Sequence, residues 1–145
     1  MSRQMHLGVF FNHTGHHIAS WRHPGAQADA AVNLSHYLQL AKSAEAAFLD
    51  FCFFADASGV RDASFEILSR SAQYTAYFEP VTLLTAMSTV TSKIGLVATA
   101  STSYYEPYNI ARLFGSLDHI SSGRAGLNIV TGGDPSASKN FGRDE

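Results

Sequence analysis

The residues of this chain that could do chemistry lie at the ends of its apolar runs. Asp56 directly follows the run FCFFA, Thr99 lies within VATAS, and Asn128 lies within LNIVT. A carboxylate, a hydroxyl and an amide offer hydrogen-bond donors and acceptors to a ligand. Short polar side chains also commonly bond to backbone groups where strands end, so each has an ordinary structural explanation. These residue types indicate a polar binding site without identifying its ligand.

A second group of candidates lies in the loop NHTGHHIASWRHPGA, which is rich in histidine. The His-x-x-His-His spacing suggests metal ligation, but no carboxylate or cysteine accompanies it and it does not match the helical H-E-x-x-H pattern, so we expect no metal. Next to Trp21 and Arg22, the histidines could instead contact an anionic or aromatic substrate, or the loop could simply face solvent. The histidines of this loop are His13, His16, His17 and His23.

The spacing of apolar residues predicts the elements that position these side chains. A helical period marks 31–48 and the segments that begin at Pro80 and Pro107, where proline is tolerated in a first helical turn. Short apolar runs mark four strands, and the run 49–55 is apolar at nearly every position, so we expect it to be buried on both faces. The predicted strands are 5–11, 49–55, 94–100 and 125–131.

The predicted order of elements, β-α-β-α-β-α-β, is typical of an α/β fold with a parallel sheet and right-handed crossovers. A doubly wound open sheet and a (β/α)8 barrel both fit this order. In both architectures ligands bind at the carboxyl ends of the strands, where Asp56, Thr99 and Asn128 would come together. The chain lacks G-x-G-x-x-G after its first strand and lacks a P-loop, which argues against dinucleotide-binding and NTPase functions.

Composition argues against several classes of partner. The chain has 145 residues, of which 46% are hydrophobic and 15% charged, and a net charge of −2. That balance favours neither nucleic acid nor an acidic membrane surface, and no apolar run approaches the length of a membrane-spanning helix. The single cysteine, Cys52, excludes an internal disulfide and is expected to be a small buried hydrophobe. We therefore expect a cytoplasmic protein.

The segment TGGDPS after the last predicted strand could form a nest of backbone amides for a phosphate group, with Lys139 nearby. No helix is predicted to begin at these glycines, and a P-loop lysine would follow its second glycine directly, so the signal is weak. We interpret the segment as one rim of an active-site mouth rather than a finished phosphate loop.

Several segments of the chain resemble one family of enzymes. HLGVFF, GHH, SWRHP, FCFFAD and the run from Glu79 to Gly132 are similar to the amino-terminal part of flavin-dependent monooxygenases of the nitrilotriacetate monooxygenase component A type. These enzymes belong to the wider bacterial-luciferase-like group. The resemblance covers essentially the whole chain, and its most telling piece is the segment LDHISSGR.

The resemblance implies a TIM (β/α)8 barrel of the luciferase-like type, of which this chain would supply about the first four βα units. It implies a two-component system in which a separate flavin reductase supplies reduced FMN, and in which O2 is used to hydroxylate or oxidatively cleave a small organic substrate. By motif, Asp56 and Thr99 would contact FMN, with Asn128 as a weaker candidate. His16 and His17 are weak catalytic candidates that could orient the substrate.

A barrel of this kind takes about 250 residues, so we expect residues 1–145 to be a single domain that forms the amino-terminal half of a barrel. Exposed strand edges favour a truncated chain, a homo-oligomer or a companion chain that completes the barrel. Two other functions stay open: a non-catalytic fragment or subunit without competent flavin binding, and a flavodoxin-like electron-transfer domain. The family usually has Thr-Ser-x-Asn where this chain has TGGDPS, which leaves the contacts after the fourth strand open.

Overall fold

The computed structural model describes residues 3–60, 63–70, 75–132 and 135–143, and within these ranges four strands alternate with helices. Two short 3-10 helices, Ser20–Arg22 and Ala30–Val32, lie in the loop after the first strand. The strands are β1 Gly8–Phe10, β2 Phe51–Phe54, β3 Gly95–Ser101 and β4 Ala125–Val130. The helices are α1 Leu34–Ala46, α2 Phe65–Leu68, α3 Pro80–Ser88, α4 Pro107–Ser121 and α5 Pro135–Asn140.

The four strands form one parallel sheet in the order β1-β2-β3-β4. Each strand therefore pairs with the next one along the chain, and each connection between neighbours contains a helix. A doubly wound sheet instead has a switch point, at which the spatial order of the strands departs from their order in the chain. The consecutive order is that of a (β/α)8 barrel, and it argues against the flavodoxin-like alternative.

The two faces of the sheet differ in burial. On one face, Cys52, Phe54 and Leu96 are buried against apolar residues of α1, α3 and α4. On the other face, Phe51 and Phe53 are only half-buried. The second strand was expected to be buried on both faces, but within the described residues it is fully buried only on the face that the helices cover. The opposite, half-buried face is the one that lies inside a (β/α)8 barrel.

Large and small residues alternate on the inner face of the sheet. The pairing register places Gly8, Phe51 and Gly95 in one row across β1, β2 and β3. A Cβ atom on Gly8 would overlap the Phe51 ring, and one on Gly95 would lie 3.1 Å from the Cβ of Phe51. Phe51 therefore fills the space that the two glycines leave open, as expected for the packed interior of a barrel.

Local sequence explains where the helices begin. The Asn33 side chain caps α1, since it accepts a hydrogen bond from the backbone N–H of His36 at 3.0 Å. Glu79 caps α3 by accepting from the backbone N–H groups of Val81 at 2.8 Å and Thr82 at 2.7 Å. Proline occupies the first turn of α3 and of α4, as predicted. The first long helix starts later than predicted because the Asn33 cap sets its first turn.

The turn between α4 and β4 is built by the segment LDHISSGR. Ser122 and Gly123 have positive φ values of 61° and 85°, which end the helix and redirect the chain. The Arg124 side chain then donates hydrogen bonds of 2.7–3.1 Å to the ends of α3 and α4 and to the segment before β3. Its acceptors are Ser121 O, Thr91 Oγ1, Thr91 O, Ile94 O and Ser88 O. This segment therefore fastens the amino end of the sheet, opposite to the end where ligands bind in such folds.

Two further boundaries differ from those predicted. β1 begins at Gly8 rather than at residue 5, because the backbone N–H of Leu7 donates to the Asp50 carboxylate at 2.7 Å instead of joining the strand ladder. Contrary to prediction, a helix begins shortly after the two glycines, at Pro135 within TGGDPS. Gly133 and Asp134 lie outside the described residues, so the phosphate-nest hypothesis stays a prediction.

None of the described helices has the length and apolar character needed to cross a membrane.

Candidate active site

A cavity of about 500 Å³ opens at the carboxyl ends of β1 and β2. Its volume lies in the range of sites that enclose small organic ligands. The segments after these two strands and residues of α1 and α3 form its walls. Its aromatic lining residues are Phe10, Phe11, Tyr37, Phe54, Tyr77 and Phe78. Its polar and titratable lining residues include Asn12, His13, His16, His17 and Asp56.

Asp56 follows the end of β2 and lines this cavity. Burial raises the pKa of its carboxyl group, the nearby Glu79 carboxylate raises it further, and a hydrogen bond with the backbone of Ala57 opposes both. Burial and the same two carboxylates raise the pKa of Tyr105, which hydrogen-bonds to Ser58. Asp56 is thus a carboxyl group that resists ionisation more than an exposed aspartate, and that can accept a ligand N–H or, when protonated, donate to a ligand oxygen or nitrogen.

Thr99 and Asn128 are partners in the register of β3 and β4. The Asn128 Nδ2 group donates to Thr99 Oγ1 at 3.0 Å, and Thr99 Oγ1 donates to the Phe54 carbonyl at 3.0 Å. The Thr99 hydroxyl proton is therefore used within the sheet, which leaves one oxygen lone pair and the Asn128 amide oxygen for a ligand. Neither residue lines the cavity beside Asp56; both connect to its wall through Phe54.

His16 and His17 lie exposed at the cavity rim. His16 Nε2 lies 2.9 Å from the Phe10 carbonyl oxygen, and its ring contacts the Phe10 ring edge-on with centroids 4.5 Å apart. His17 Nδ1 accepts a hydrogen bond from the backbone N–H of Ala19 at 3.1 Å. One ring nitrogen of each histidine thus holds the loop, which leaves the other for a ligand.

His13 is the half-buried histidine of the cavity, and the sequence distinguished it in no way from the other histidines of its loop. Its Nδ1 atom lies 2.8 Å from the hydroxyl oxygen of Tyr37, a residue of α1 that is 1% exposed. The His13 ring also stacks on Tyr77, with centroids 5.5 Å apart. Tyr37 and Tyr77 escape sequence reasoning because they lie far along the chain, on a helix and in a loop, and their types fit ordinary core packing equally well.

Metal chemistry finds no support in the part of the chain that the structure describes. There, no group of three or more histidine, cysteine, aspartate or glutamate side chains is placed to hold an ion. Cys52 is buried, and burial raises the pKa of its thiol to about 12. It is a poor thiolate nucleophile or ligand at neutral pH.

The polar groups at the carboxyl ends of the strands suit a flat heteroaromatic ring. An isoalloxazine ring presents an N–H group and carbonyl oxygens along one edge. The Asp56 carboxyl group and the Asn128 amide oxygen can accept from such an N–H, and Asp56 can donate when protonated. Because β2, β3 and β4 are joined through Thr99, the three strand ends form one rigid support. The residues present therefore fit a flavin.

A parallel sheet of four strands in consecutive order, joined by helices, is the architecture of part of an α/β barrel of the (β/α)8 type. The sequence profile of the luciferase-like monooxygenases matches residues 13–145. The chain belongs to the luciferase-like monooxygenase family.

Individual relatives agree with this assignment. The chain is 53% identical over 140 residues to N-acetyl-S-(2-succino)cysteine monooxygenase of Bacillus subtilis (strain 168), covering 96% of this chain and 30% of the relative. It is 45% identical over 149 residues to nitrilotriacetate monooxygenase component A of Aminobacter aminovorans, covering 99% of this chain and 33% of the relative. A crystal structure of riboflavin lyase with modified FMN and riboflavin superposes with a TM-score of 0.86 at 36% identity, covering 97% of this chain and 33% of that one. The chain spans about a third of the length of the curated relatives it matches.

These comparisons confirm the resemblance to the nitrilotriacetate monooxygenase component A type and the barrel fold. The relatives are monooxygenases, and the solved relative contains a modified FMN. The roles of Asp56, Thr99, Asn128, His16 and His17 stay predictions, whose positions are those described above.

Proposed function

We propose that the protein is a flavin-dependent monooxygenase that uses reduced FMN and O2 to hydroxylate or oxidatively cleave a small organic substrate. The observation that carries the proposal is the polar cluster at the carboxyl ends of the strands, next to a cavity of about 500 Å³, in a chain of the luciferase-like monooxygenase family. A separate flavin reductase would supply the reduced FMN, as the name component A of one relative suggests for that protein. Bound reduced FMN would supply the reaction with O2.

The side chains of this chain would bind the flavin, orient the substrate and exclude water from the site. We assign Asp56, Thr99 and Asn128 to the flavin, with Thr99 acting mainly by fixing Asn128 against the end of β2. The aromatic wall of the cavity would keep water from the reacting atoms, which protects reactive intermediates from side reactions with water. His16 and His17 would orient the substrate from the rim.

We propose that the substrate carries carboxylate groups. Two relatives are named for N-acetyl-S-(2-succino)cysteine and nitrilotriacetate, which are both polycarboxylates. The loop over the cavity supports this choice, since between β1 and α1 it includes four histidines and Arg22 but a single acidic residue, Asp29, whose carboxylate accepts from the side chains of Gln27 and Asn33. A loop with few acidic side chains limits the repulsion that an anionic substrate would otherwise meet.

We also propose that residues 1–145 belong to a single barrel domain that further βα units complete, from this chain's own continuation, a second copy or a companion chain. On β4, Leu127 is 38% exposed and Ile129 is 62% exposed. Both lie on a strand that pairs on only one side in the described sheet. An unpaired apolar edge strand is the kind of surface that another strand covers. A non-catalytic subunit that keeps the fold without binding flavin is the alternative.

Anaerobic titration of the full-length protein with reduced FMN tests the proposal. The flavin should bind, and admission of O2 with a carboxylate substrate should give about one equivalent of oxygenated product per bound reduced FMN. Continued turnover should require a flavin reductase and a reduced nicotinamide, which regenerate reduced FMN. A protein that binds neither reduced nor oxidised FMN, with or without a companion chain, is the non-catalytic alternative. Tight binding of oxidised FMN without oxygenation would instead point to electron transfer.

A further inference from the structure

A buried tyrosine–histidine pair forms the cavity wall between β1 and α1. His13 follows β1 closely, and Tyr37 lies in the first half of α1. Their side chains meet at 2.8 Å between His13 Nδ1 and the Tyr37 hydroxyl oxygen. Both residues line the cavity together with the rim histidines His16 and His17. Of the three residues assigned to the flavin, Asp56 lines the same cavity.

The Tyr37 hydroxyl determines which His13 nitrogen carries the proton. A buried phenol O–H needs an acceptor, and within the described part of the chain His13 Nδ1 is the acceptor at hydrogen-bond distance. Nδ1 must therefore be unprotonated, so a neutral His13 carries its proton on Nε2. Burial lowers the pKa of His13 and raises the pKa of Tyr37 to about 12, so both groups hold these protonation states at neutral pH.

The His13 ring is held in place on several sides. Its backbone N–H donates to the Asn12 side chain at 3.0 Å, and its ring stacks on Tyr77. The Tyr77 hydroxyl in turn donates to the Ala57 carbonyl at 2.8 Å, next to Asp56. A half-buried ring with this many contacts has lost most of its rotamer freedom, so little entropy remains to be lost when a ligand binds.

The other ring nitrogen is left for a ligand. In the ranges that the structure describes, His13 Nε2 makes no hydrogen bond to the protein, although the residue lines the cavity. A fixed donor on the wall of a small-molecule cavity orients a ligand oxygen. The one acidic residue between β1 and α1, Asp29, is bonded to the side chains of Gln27 and Asn33 rather than to His13.

We propose that His13 binds substrate, its Nε2–H donating a hydrogen bond to a substrate carboxylate while Tyr37 fixes the tautomer and the ring. The proposal rests on the proposed function and names the residue that selects its substrate class. It makes His13, rather than the rim histidines His16 and His17, the main histidine contact. Because the donor is uncharged, its contribution is positional: it selects a carboxylate at one place in the cavity rather than attracting anions in general.

Binding measurements without turnover test this role. The full-length protein loaded with FMN is titrated calorimetrically, without O2 or reductase, with two tricarboxylates, N-acetyl-S-(2-succino)cysteine and nitrilotriacetate. His13→Phe should weaken the better-bound probe about tenfold or more, the usual worth of a hydrogen bond to a charged group. His13→Gln keeps an N–H near the position of Nε2 and should recover most of that loss. The matched control His119→Phe, on the exposed surface of α4, should bind as the unchanged protein does.

Nitrogen NMR of the histidine rings gives a readout that does not depend on turnover. The unchanged protein should show His13 as a neutral ring protonated on Nε2, and Tyr37→Phe should mix the two tautomers and weaken the probe by a few fold. Three results would each overturn the proposal. They are a His13 ring protonated on Nδ1, a probe affinity of His13→Phe equal to that of the unchanged protein, and failure of both tricarboxylates to bind the unchanged protein. None of these results touches the binding of reduced FMN, so the proposed function is judged separately.

Discussion

Arg124 is the side chain whose removal should cost this fold most at its amino end. Its guanidinium donates to Ser121 O at 2.7 Å, to Ile94 O at 2.9 Å and to Thr91 Oγ1 at 3.0 Å. It also donates to the carbonyls of Ser88 and Thr91 at 3.1 Å each. One half-buried side chain thus joins the end of α3, the end of α4 and the approach to β3.

The magnitude follows from what Arg124→Ala leaves behind. Ser88, Thr91 and Ile94 are 7%, 9% and 1% exposed, so their groups regain water poorly when the guanidinium is removed. With about 1 kcal/mol for each buried acceptor that loses its partner, the variant should lose roughly 2–4 kcal/mol of unfolding free energy. Arg124→Lys keeps the charge but reaches fewer acceptors, so about half of that loss should remain.

Urea denaturation of the full-length protein, followed by circular dichroism, measures these differences from the midpoint at constant m. Arg112→Ala is the matched control, because Arg112 lies exposed on α4 over the Tyr108 ring and should change stability by less than about 0.5 kcal/mol. Affinity for reduced FMN should not change in any of the three variants, since Arg124 lies at the opposite end of the sheet. A stable Ala variant, or a Lys variant equal to the unchanged protein, would refute this account of the five hydrogen bonds.

Two further predictions concern the site and the barrel interior. Because the folded-state pKa of Asp56 is raised, its ionisation opposes folding, so Asp56→Asn should gain stability relative to the unchanged protein as pH rises above about 4. The same variant should bind reduced FMN about tenfold more weakly. Denaturation curves from pH 3 to 8 with parallel flavin titrations measure both effects, and a stability difference that does not change with pH would contradict the pKa argument. Gly8→Ala should lower the free energy of unfolding by about 1–3 kcal/mol, because the added Cβ would overlap the Phe51 ring. Gly115→Ala, in open space on α4, should raise it by about 0.5–1 kcal/mol. Thermal melts that rank these two variants in the opposite order would contradict this prediction.

Apolar spacing predicted the order of the elements because strands and helices leave different periods in a sequence. It could not choose between a barrel and a doubly wound sheet, since both contain the same βα units and differ only in which strands become neighbours. The resemblance made that choice, and the consecutive strand order agrees with it. The predicted element boundaries were wrong where a side chain binds the backbone. Asn33 caps the first turn of α1, and Asp50 accepts the Leu7 N–H, which therefore does not join the strand ladder.

Strand-end logic predicted that Asp56, Thr99 and Asn128 come together, because parallel strands place their carboxyl ends at one edge of the sheet. Of these three, Asp56 lines the cavity, whereas Thr99 and Asn128 bond to each other beside it. It could not show that the Thr99 hydroxyl is already engaged by Phe54, which depends on a cross-strand contact. Sequence reasoning also favoured His16 and His17 over His13, which lies in the same loop. The distinguishing feature of His13 is its partner on α1, and no local pattern in the loop signals such a long-range hydrogen bond.

The two ends of the sheet use their polar groups in different ways, and the difference itself marks the site. At the amino end, Glu45 accepts hydrogen bonds from three consecutive backbone N–H groups, Asp50 holds the approach to β1, and Arg124 has acceptors for each of its guanidinium nitrogens. These polar groups find their hydrogen-bond partners within the protein itself, so the residues stabilise the fold. At the carboxyl end, burial raises the pKa of Asp56 and so disfavours its ionised form, and His13, which lines the cavity, bonds to the described residues through Nδ1 and not through Nε2. Buried polar groups with such a cost are more frequent at functional sites than elsewhere, which supports our proposal that the ligand binds at the carboxyl end.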